Sequence, residues 1–189
     1  MLKKIILWVL AVLAIAFVAA VIIRNPYVNE KKKTDEAVVK IHATKLTLDD
    51  VMGKNLPANP GAEADKTIAG IDANGNGIRD DVELAVFDTY PDSAKTRAVL
   101  LQYALALQTE MTLPLVNTET VTATIEDNES RALNCVWSIS LRADMNKFME
   151  ETTANEDFVR NRQFNTDQRK QALSDLLKKL GSYSVSHGD

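Results

Sequence analysis

The segment AKTRAVLLQYALALQTEM, residues 94–111, has the residue pattern of a buried helix. Its apolar residues recur at intervals of three and four, at Ala94, Ala98, Leu101, Ala104, Leu105, Leu107 and Met111. Residues at this spacing lie on one face of an α-helix. The apolar face is so wide that we predict a helix covered by other elements on most sides. Asp92 or Ser93 can cap its first turn, and Pro114 is expected to end it.

Three further helices are predicted around this segment. Val82, Val86 and Tyr90 share one face of a helix that Pro91 ends. A third helix is indicated by apolar residues at helical spacing, namely Leu133, Trp137, Leu141, Met145 and Phe148. A fourth helix, expected to begin near Asn165 and Thr166 and to stop at Gly181, is indicated by Leu173, Leu176, Leu177 and Leu180. We therefore predict a mainly α fold, a small irregular helical bundle.

The predicted domain covers residues 38–181, and residues 182–189 are expected to form a flexible tail. Near its start, Val39, Ile41 and Ala43 alternate with polar residues, a period-2 pattern that predicts a short strand. Thr47 and Asp50 have the spacing of a capping box, which predicts a short helix ended by Gly53.

An uninterrupted run of 19 apolar residues, IILWVLAVLAIAFVAAVII, occupies residues 5–23. A helix of this length spans about the 30 Å hydrocarbon core of a bilayer. We predict a transmembrane anchor behind a short flank, residues 1–4, and followed by a solvated tether, residues 24–37. The alternative is a cleaved secretory signal, although the run is longer than the apolar core of most signals and lacks a small-x-small end.

Composition narrows the function classes. The chain has 189 residues and a formal net charge of −4, so we expect one domain and no nucleic-acid partner, because nucleic-acid affinity needs clustered positive charge. A single cysteine, Cys135, excludes an intramolecular disulfide, and its apolar surroundings predict a buried inert thiol. The two histidines, His42 and His187, are expected at the surface. No catalytic constellation is present, so we predict that the protein is not an enzyme.

The stretch IDANGNGIRDDVE, residues 71–83, contains the candidate metal-binding residues of the chain. Counted from Asp72, oxygen-bearing side chains occupy positions 1, 3, 5, 9 and 12, with a glycine at position 6, which is the spacing of an EF-hand calcium loop. Calcium prefers six to eight oxygen ligands, and a tightly curved loop can aim alternate residues inward. The predicted ligands are Asp72, Asn74, Asn76, the carbonyl of Ile78, Asp80 directly or through water, and a bidentate Glu83. The alternative is a plain turn of residues that tolerate positive φ.

Two features separate this stretch from a sensor-type EF-hand. No amphipathic helix precedes it, and its apolar Ile78 and charged Arg79 occupy positions 7 and 8, where paired loops place an apolar residue at position 8. In both respects it resembles the thrombospondin type 3 and dockerin-like calcium loops of secreted bacterial proteins. The longer phrase, residues 69–83, also resembles one in uncharacterised exported proteins of Gram-negative bacteria. This resemblance implies metal binding in an exported protein.

The number of carboxylates in the loop determines the calcium affinity that we expect. That affinity in turn indicates where in the cell the protein would bind calcium. With asparagine at positions 3 and 5, three carboxylates remain, which predicts a weak site of the extracellular kind, roughly 10⁻⁴–10⁻³ M. We therefore expect an inner-membrane anchor with the domain on the periplasmic side, or secretion into the periplasm if the signal is cleaved. The expected role is structural or scaffolding, with an envelope protein as partner. The alternative is a metal-independent helical interaction module of the cell envelope, and an enzyme with dispersed catalytic residues is a distant third.

Two expectations concern the later helices. Trp137 is predicted to lie in the core because it shares the apolar face of the third helix. Arg169 and Lys170, with Lys178 and Lys179, are expected to form the solvated side of the fourth helix.

Overall fold

A computed structural model of the chain describes residues 2–112, 120 and 128–185. Its helices are α1 (Leu2–Ala43), α2 (Leu48–Val51), α3 (Asp80–Thr89), α4 (Ala94–Thr112), α5 (Ser130–Ser138), α6 (Met145–Gln163) and α7 (Asp167–Val185). A 3-10 turn at Gly61–Asp65 lies between α2 and α3. The described residues contain no strand. The predicted mainly α fold is therefore confirmed.

The chain divides into two units, Met1–Glu36 and Ala37–Asp189. Residues 2–36 of the first unit lie in α1, which contains a segment long and apolar enough to cross a membrane. The predicted tether, residues 24–37, is helical and continues α1 through Pro26. Ion pairs four residues apart support this helix, with Lys31 Nζ 3.6 Å from Asp35 Oδ1.

The strand predicted near residues 39–43 is wrong, because the segment forms the end of α1. A lone strand leaves its backbone groups without partners, whereas a helix pairs them internally. Ala37 and Ile41 are buried and lie four residues apart. The prediction missed this helical spacing because the polar and apolar residues between 39 and 43 also alternate, as they do in a strand.

The second unit is organised around α4, which contacts α2, α3, α5, α6 and α7. Burial of α4 was predicted from its wide apolar face and is confirmed: Leu100, Leu101 and Leu107 are fully buried. Removing each of these side chains from water contributes about 1.5–3 kcal/mol. The core also includes Val82 and Val86 of α3.

Local capping signals were predicted correctly. Thr47 and Asp50 form the capping box of α2, with the backbone N–H of Thr47 donating to Asp50 Oδ2 at 2.8 Å. The Ser93 hydroxyl accepts from the backbone N–H of Thr96 at 3.2 Å in the first turn of α4. Helix α3 ends at Thr89, just before Pro91, as expected. Pro114 lies outside the described residues.

The third predicted helix is wrong in its extent, because the structure divides it into α5 and α6. The Asp144 side chain caps α6 by accepting from the backbone N–H groups of Asn146 and Lys147. An N-cap residue has a non-helical backbone, so the helix cannot continue through it. Leu141, between the two helices, is 81% exposed instead of contributing to a continuous apolar face.

This division exposes residues that we expected to be buried. Trp137 is 41% exposed, and its indole N–H donates to Glu156 Oε1. Cys135 is exposed and not buried. Both predictions assumed one straight helix with a single buried face, whereas the short α5 buries only Ala132 and Val136.

The last helix also differs from expectation. Arg169 is fully buried, in contrast to the predicted solvated side, while Lys170 and Lys178 are exposed as expected. The backbone of α7 passes Gly181 and continues to Val185, into the predicted tail. A helical glycine is tolerated at a cost of about 1 kcal/mol. His187 lies outside the described residues, and His42 is exposed as expected.

Candidate metal loop

The candidate loop lies between the 3-10 turn and α3, so that no α-helix enters it. The backbone N–H of Asp80 donates to the carbonyl of Ile71 at 2.9 Å and closes the loop at its base. Glu83 falls in the first turn of α3, as predicted from its position. The one-sided arrangement, with an exiting helix alone, agrees with the sequence pattern.

Asp72 organises the turn through both of its carboxylate oxygens. Oδ1 accepts from the backbone N–H of Asn76 at 3.1 Å, and Oδ2 accepts from that of Gly77 at 2.9 Å. Gly77 has φ +86°, and a Cβ there would lie 2.7 Å from Leu105 Cδ1 and from Thr44 Cγ2. Glycine is therefore required at this position both for its backbone conformation and for the close approach of two neighbours.

Asn74 and Asn76 turn their amide groups toward the centre of the loop. Asn74 Nδ2 donates to Glu83 Oε2 at 3.0 Å, and Asn76 Nδ2 donates to Glu83 Oε1 at 3.1 Å. The side-chain oxygens accept backbone N–H bonds, from Asn76 at 3.3 Å and from Ile78 at 2.9 Å respectively. Asn74 also donates to the carbonyl of Asn55 at 2.9 Å. The carboxylate of Glu83 thus holds both asparagine side chains of the loop through hydrogen bonds.

Negative charge accumulates around Glu83, which is fully buried. Burial raises the pKa of Glu83 to about 7, and the nearby carboxylates of Asp50 and Asp80 raise it further, while the two asparagine amides lower it. Burial also raises the pKa of Asp80, against the lowering effect of the backbone N–H of Ala73, which donates to its Oδ1 at 3.0 Å. The loop therefore holds carboxylates that are costly to ionise together.

The structure joins the residues Asp72, Asn74, Asn76 and Glu83 through hydrogen bonds, whereas the Asp80 side chain accepts from the backbone N–H of Ala73. The side chain of Ile78 is fully buried in the core. Asp72, Asp80 and Glu83 do not by themselves form a metal-binding cluster. In the described part of the chain, no group of three or more His, Cys, Asp or Glu side chains is placed to hold a metal ion. Any cation would need the asparagine oxygens and a backbone carbonyl as additional ligands.

Arg79, at position 8 of the loop, is fully buried. Its guanidinium pairs with Asp81 and donates to the carbonyls of Arg162 at 3.4 Å and Gln163 at 3.1 Å. A sensor-type loop uses this position to contact a second loop. Here the position instead joins the loop to the end of α6.

A buried acid pair was not predicted from the sequence. Glu110 of α4 and Glu129 share a hydrogen bond, and burial raises the pKa of Glu110 to about 9 and that of Glu129 in the same direction. Oε1 of Glu110 is buried with no hydrogen-bond partner among the described residues. Arg160 of α6 faces the pair and donates to the hydroxyl of Tyr103 at 3.3 Å. The spacing of 19 residues gives no local signal for this contact.

Paired carboxylates would support catalysis if a substrate could reach them. A cavity of about 540 Å³ beside α5 and one of about 300 Å³ beside the candidate loop are lined by other residues. The expectation that the protein is not an enzyme therefore stays a prediction.

Comparison with known proteins yields no assignment. No protein-family model matches the chain, and no curated protein or solved structure is significantly similar to it. The geometry of the described residues must therefore carry any functional argument.

Proposed function

We propose that the second unit is a calcium-binding helical domain, held at the extracytoplasmic face of a membrane by α1, in which calcium has a structural role. The observation that carries this proposal is the loop around Glu83: a fully buried carboxylate that faces two further carboxylates, Asp50 and Asp80, and two amides. A divalent cation would compensate this negative charge at a position where the protein supplies oxygen atoms at EF-hand spacing.

The proposed ligands are the side-chain oxygens of Asp72, Asn74, Asn76, Asp80 and Glu83 and the carbonyl of Ile78. Calcium would supply the positive charge that these residues lack. The amides of Asn74 and Asn76 now point their Nδ2 atoms at Glu83, so binding requires each amide to present its oxygen instead. Asp72 also lines the cavity of about 300 Å³, which opens a path for an ion.

The proposed location is supported by the apolar segment of α1 and by the small number of carboxylates in the loop. One helix near the N-terminus is long and apolar enough to span a bilayer. Three carboxylates give a weak site, roughly 10⁻⁴–10⁻³ M, which would fill where calcium is millimolar and stay empty where it is scarce. We therefore place the domain outside the cytoplasm, on an inner-membrane anchor.

Thermal unfolding of the full chain in neutral-detergent micelles tests the proposal. Calcium at about ten times a dissociation constant of 10⁻⁴ M should stabilise the fold by about 1.4 kcal/mol, which raises the melting temperature by about 3–6 °C. Magnesium at the same concentration should have a smaller effect, because it demands rigid octahedral geometry and gives up its water reluctantly.

Matched variants identify the site. Glu83→Gln keeps the shape of the central side chain but removes its charge, so the calcium-dependent rise should disappear. Asp88→Asn removes a carboxylate from the exposed side of the same helix and should leave the rise intact. If the chain gains no stability at millimolar calcium, or if Glu83→Gln responds like the wild type, the loop is a turn and the proposal is wrong.

A second candidate is the metal-independent interaction module. It is favoured by large apolar side chains that stay exposed around the junction of α5 and α6, namely Trp137, Leu141, Met145 and Met149. Exposed apolar residues that cluster at one place are typical of interaction surfaces. A negative calcium titration would leave this candidate as the better supported one.

A further inference from the structure

Two neutral amides compensate the buried carboxylate of the candidate loop. Glu83 is fully buried, and in the described part of the chain no lysine or arginine forms an ion pair with it. Its oxygens instead accept from Asn74 Nδ2 at 3.0 Å and from Asn76 Nδ2 at 3.1 Å. A buried carboxylate is costly unless hydrogen bonds or an opposite charge compensate it. The asparagine side chains therefore do the work that a cation could do.

Asparagine suits both positions because its amide accepts on one side and donates on the other. In Asn76, Oδ1 accepts from the backbone N–H of Ile78 at 2.9 Å, while Nδ2 donates to Glu83. In Asn74, Oδ1 accepts from the backbone N–H of Asn76 at 3.3 Å, while Nδ2 donates to Glu83 and to the carbonyl of Asn55. An aspartate at either position could keep the backbone bond, but its second oxygen would then face the carboxylate of Glu83.

This arrangement and calcium binding exclude each other. The amides direct their nitrogen atoms at the two oxygens of Glu83, whereas a cation bound there needs the amide oxygens. Calcium must therefore break both hydrogen bonds before Asn74, Asn76 and Glu83 can act as ligands together. The free energy of these two bonds is subtracted from the free energy of calcium binding.

We infer, on the basis of the proposed calcium loop, that Asn74 and Asn76 compete with calcium for Glu83. The two asparagines are positioning residues that hold Glu83 when calcium is scarce, so the second unit folds with or without the ion. The same competition weakens the site and makes calcium binding readily reversible. Aspartate at these positions would give a tighter site and a fold that depends on calcium.

Asn76→Asp tests this competition. Asn76 is the cleaner choice because its Nδ2 donates to Glu83 alone among the described residues, whereas Asn74 also reaches Asn55. The substitution keeps the shape of the side chain and an acceptor for the backbone N–H of Ile78. It replaces the donor that faces Glu83 by a second carboxylate oxygen.

The two expected effects of Asn76→Asp have opposite signs. In chelator at pH 8, where Glu83 is largely ionised, the melting temperature of the full chain in neutral-detergent micelles should fall by at least about 3 °C. A calcium titration of the melting temperature should show a dissociation constant about tenfold lower than that of the wild type, because the site gains a carboxylate. A purely structural role of Asn76 would lower stability and calcium affinity together.

A double variant tests the direct contact without calcium. Combined with Glu83→Gln, Asn76→Asp reverses the hydrogen bond, because the new amide at position 83 can donate to the new carboxylate at position 76. In chelator, Asn76→Asp should therefore lower the melting temperature at most about half as much in the Glu83→Gln background as in the wild type. Such non-additivity is expected only for side chains that interact.

Asn146→Asp is the matched control, since it adds a carboxylate at an exposed position of α6. It should change the melting temperature in chelator by less than about 1 °C and leave the calcium titration as in the wild type. A loss equal to that of Asn76→Asp would mean that net charge explains the effect, and the inference would be wrong.

The remaining outcomes separate this inference from the proposed function. If the wild type responds to calcium but Asn76→Asp melts like the wild type in chelator, loses equal stability in both backgrounds, or binds calcium more weakly, the inference is wrong and the calcium loop stands. If the wild type itself does not respond to calcium, the proposed function is wrong and the inference fails with it.

Discussion

At the scale of single residues, two buried glutamates show how position controls ionisation. Glu83 and Glu110 are both buried in the second unit, and burial raises the pKa of each, to about 7 and about 9 respectively. Glu83 receives two amide donors, whereas Glu110 shares a hydrogen bond with another acid, Glu129. A carboxyl group that shares a proton with a neighbouring carboxylate keeps that proton to higher pH.

This difference predicts a pH dependence of stability. The folded protein holds a proton on Glu110 up to a pKa of about 9, whereas the unfolded chain releases it near 4.5. The stabilisation is therefore complete below pH 4.5 and decreases as the pH rises toward 9, by at most about 1.4 kcal/mol per pH unit for one proton. Between pH 8 and 9 about nine tenths or more of Glu83 is already ionised, so this window reports mainly on the acid pair.

Glu110→Gln should reduce the slope of unfolding free energy against pH in that window, because glutamine cannot release a proton. Urea unfolding of the full chain in micelles at several pH values measures the slope. Glu150→Gln, at an exposed position of α6, serves as the control and should keep the wild-type slope. Identical slopes for wild type and Glu110→Gln would mean that Glu110 ionises normally.

At the scale of elements, the buried Arg169 joins α7 to the 3-10 turn and to the residues that follow it. Arg169 of α7 donates to the carbonyls of Ala64, Thr67 and Ile68, and to Asp65 Oδ1 at 2.7 Å. The hydrogen bond from Asn165 and the guanidinium of Arg169 lower the pKa of Asp65. One side chain thus satisfies several backbone groups of the segment that leads into the candidate loop.

We expect Arg169→Met to destabilise the second unit by about 1–3 kcal/mol for each carbonyl that is left buried without a donor, whereas the Asp65 side chain, which is 49% exposed, can be hydrated instead. Arg169→Lys should recover little of this loss, because an ammonium group lacks the fork of donors that reaches several carbonyls. Lys170→Met, at the next and exposed position, should change stability by less than about 0.5 kcal/mol. Chemical unfolding of the three variants measures the effect, and a small loss in Arg169→Met would contradict it.

At the scale of the whole second unit, Arg79 links the candidate loop to α6. Its guanidinium reaches the carbonyls of Arg162 and Gln163, which lie 83 and 84 residues further along the chain. Gln163 in turn donates to the carbonyl of Ala104 at 2.8 Å, in the central helix. Through these hydrogen bonds, a loop that becomes more rigid should also restrain the end of α6 and the part of α4 that contacts it.

We therefore predict that calcium slows hydrogen exchange both in the loop and at the end of α6. Peptides that cover residues 71–83 and 160–166 should gain protection when calcium is added to the full chain, because local opening of either becomes less frequent. The opposite end of α6, residues 145–151, is the internal control and should not change. Protection restricted to the loop would show that Arg79 does not transmit the effect.

The helical elements differ in how far the sequence predicted them. The apolar periodicity of α4 and the capping box of α2 are local, and both were predicted. The separation of α5 from α6 was missed, because the apolar spacing continues through the capping residue Asp144. The strand near residue 41 was predicted from alternation alone, and the pattern of one segment cannot show whether a pairing partner exists.

The sequence by itself determined the mainly α fold, the apolar run at the N-terminus, and the positions of the loop residues around Gly77. These follow from interactions within one or two helical turns or within one tight turn. The tertiary structure alone decided the burial of Arg169, the pairing of Glu110 with Glu129, and the exposure of Cys135. Burial and pairing depend on which distant segments meet, and the cost of burying a charge is offset by partners that only the folded chain brings together.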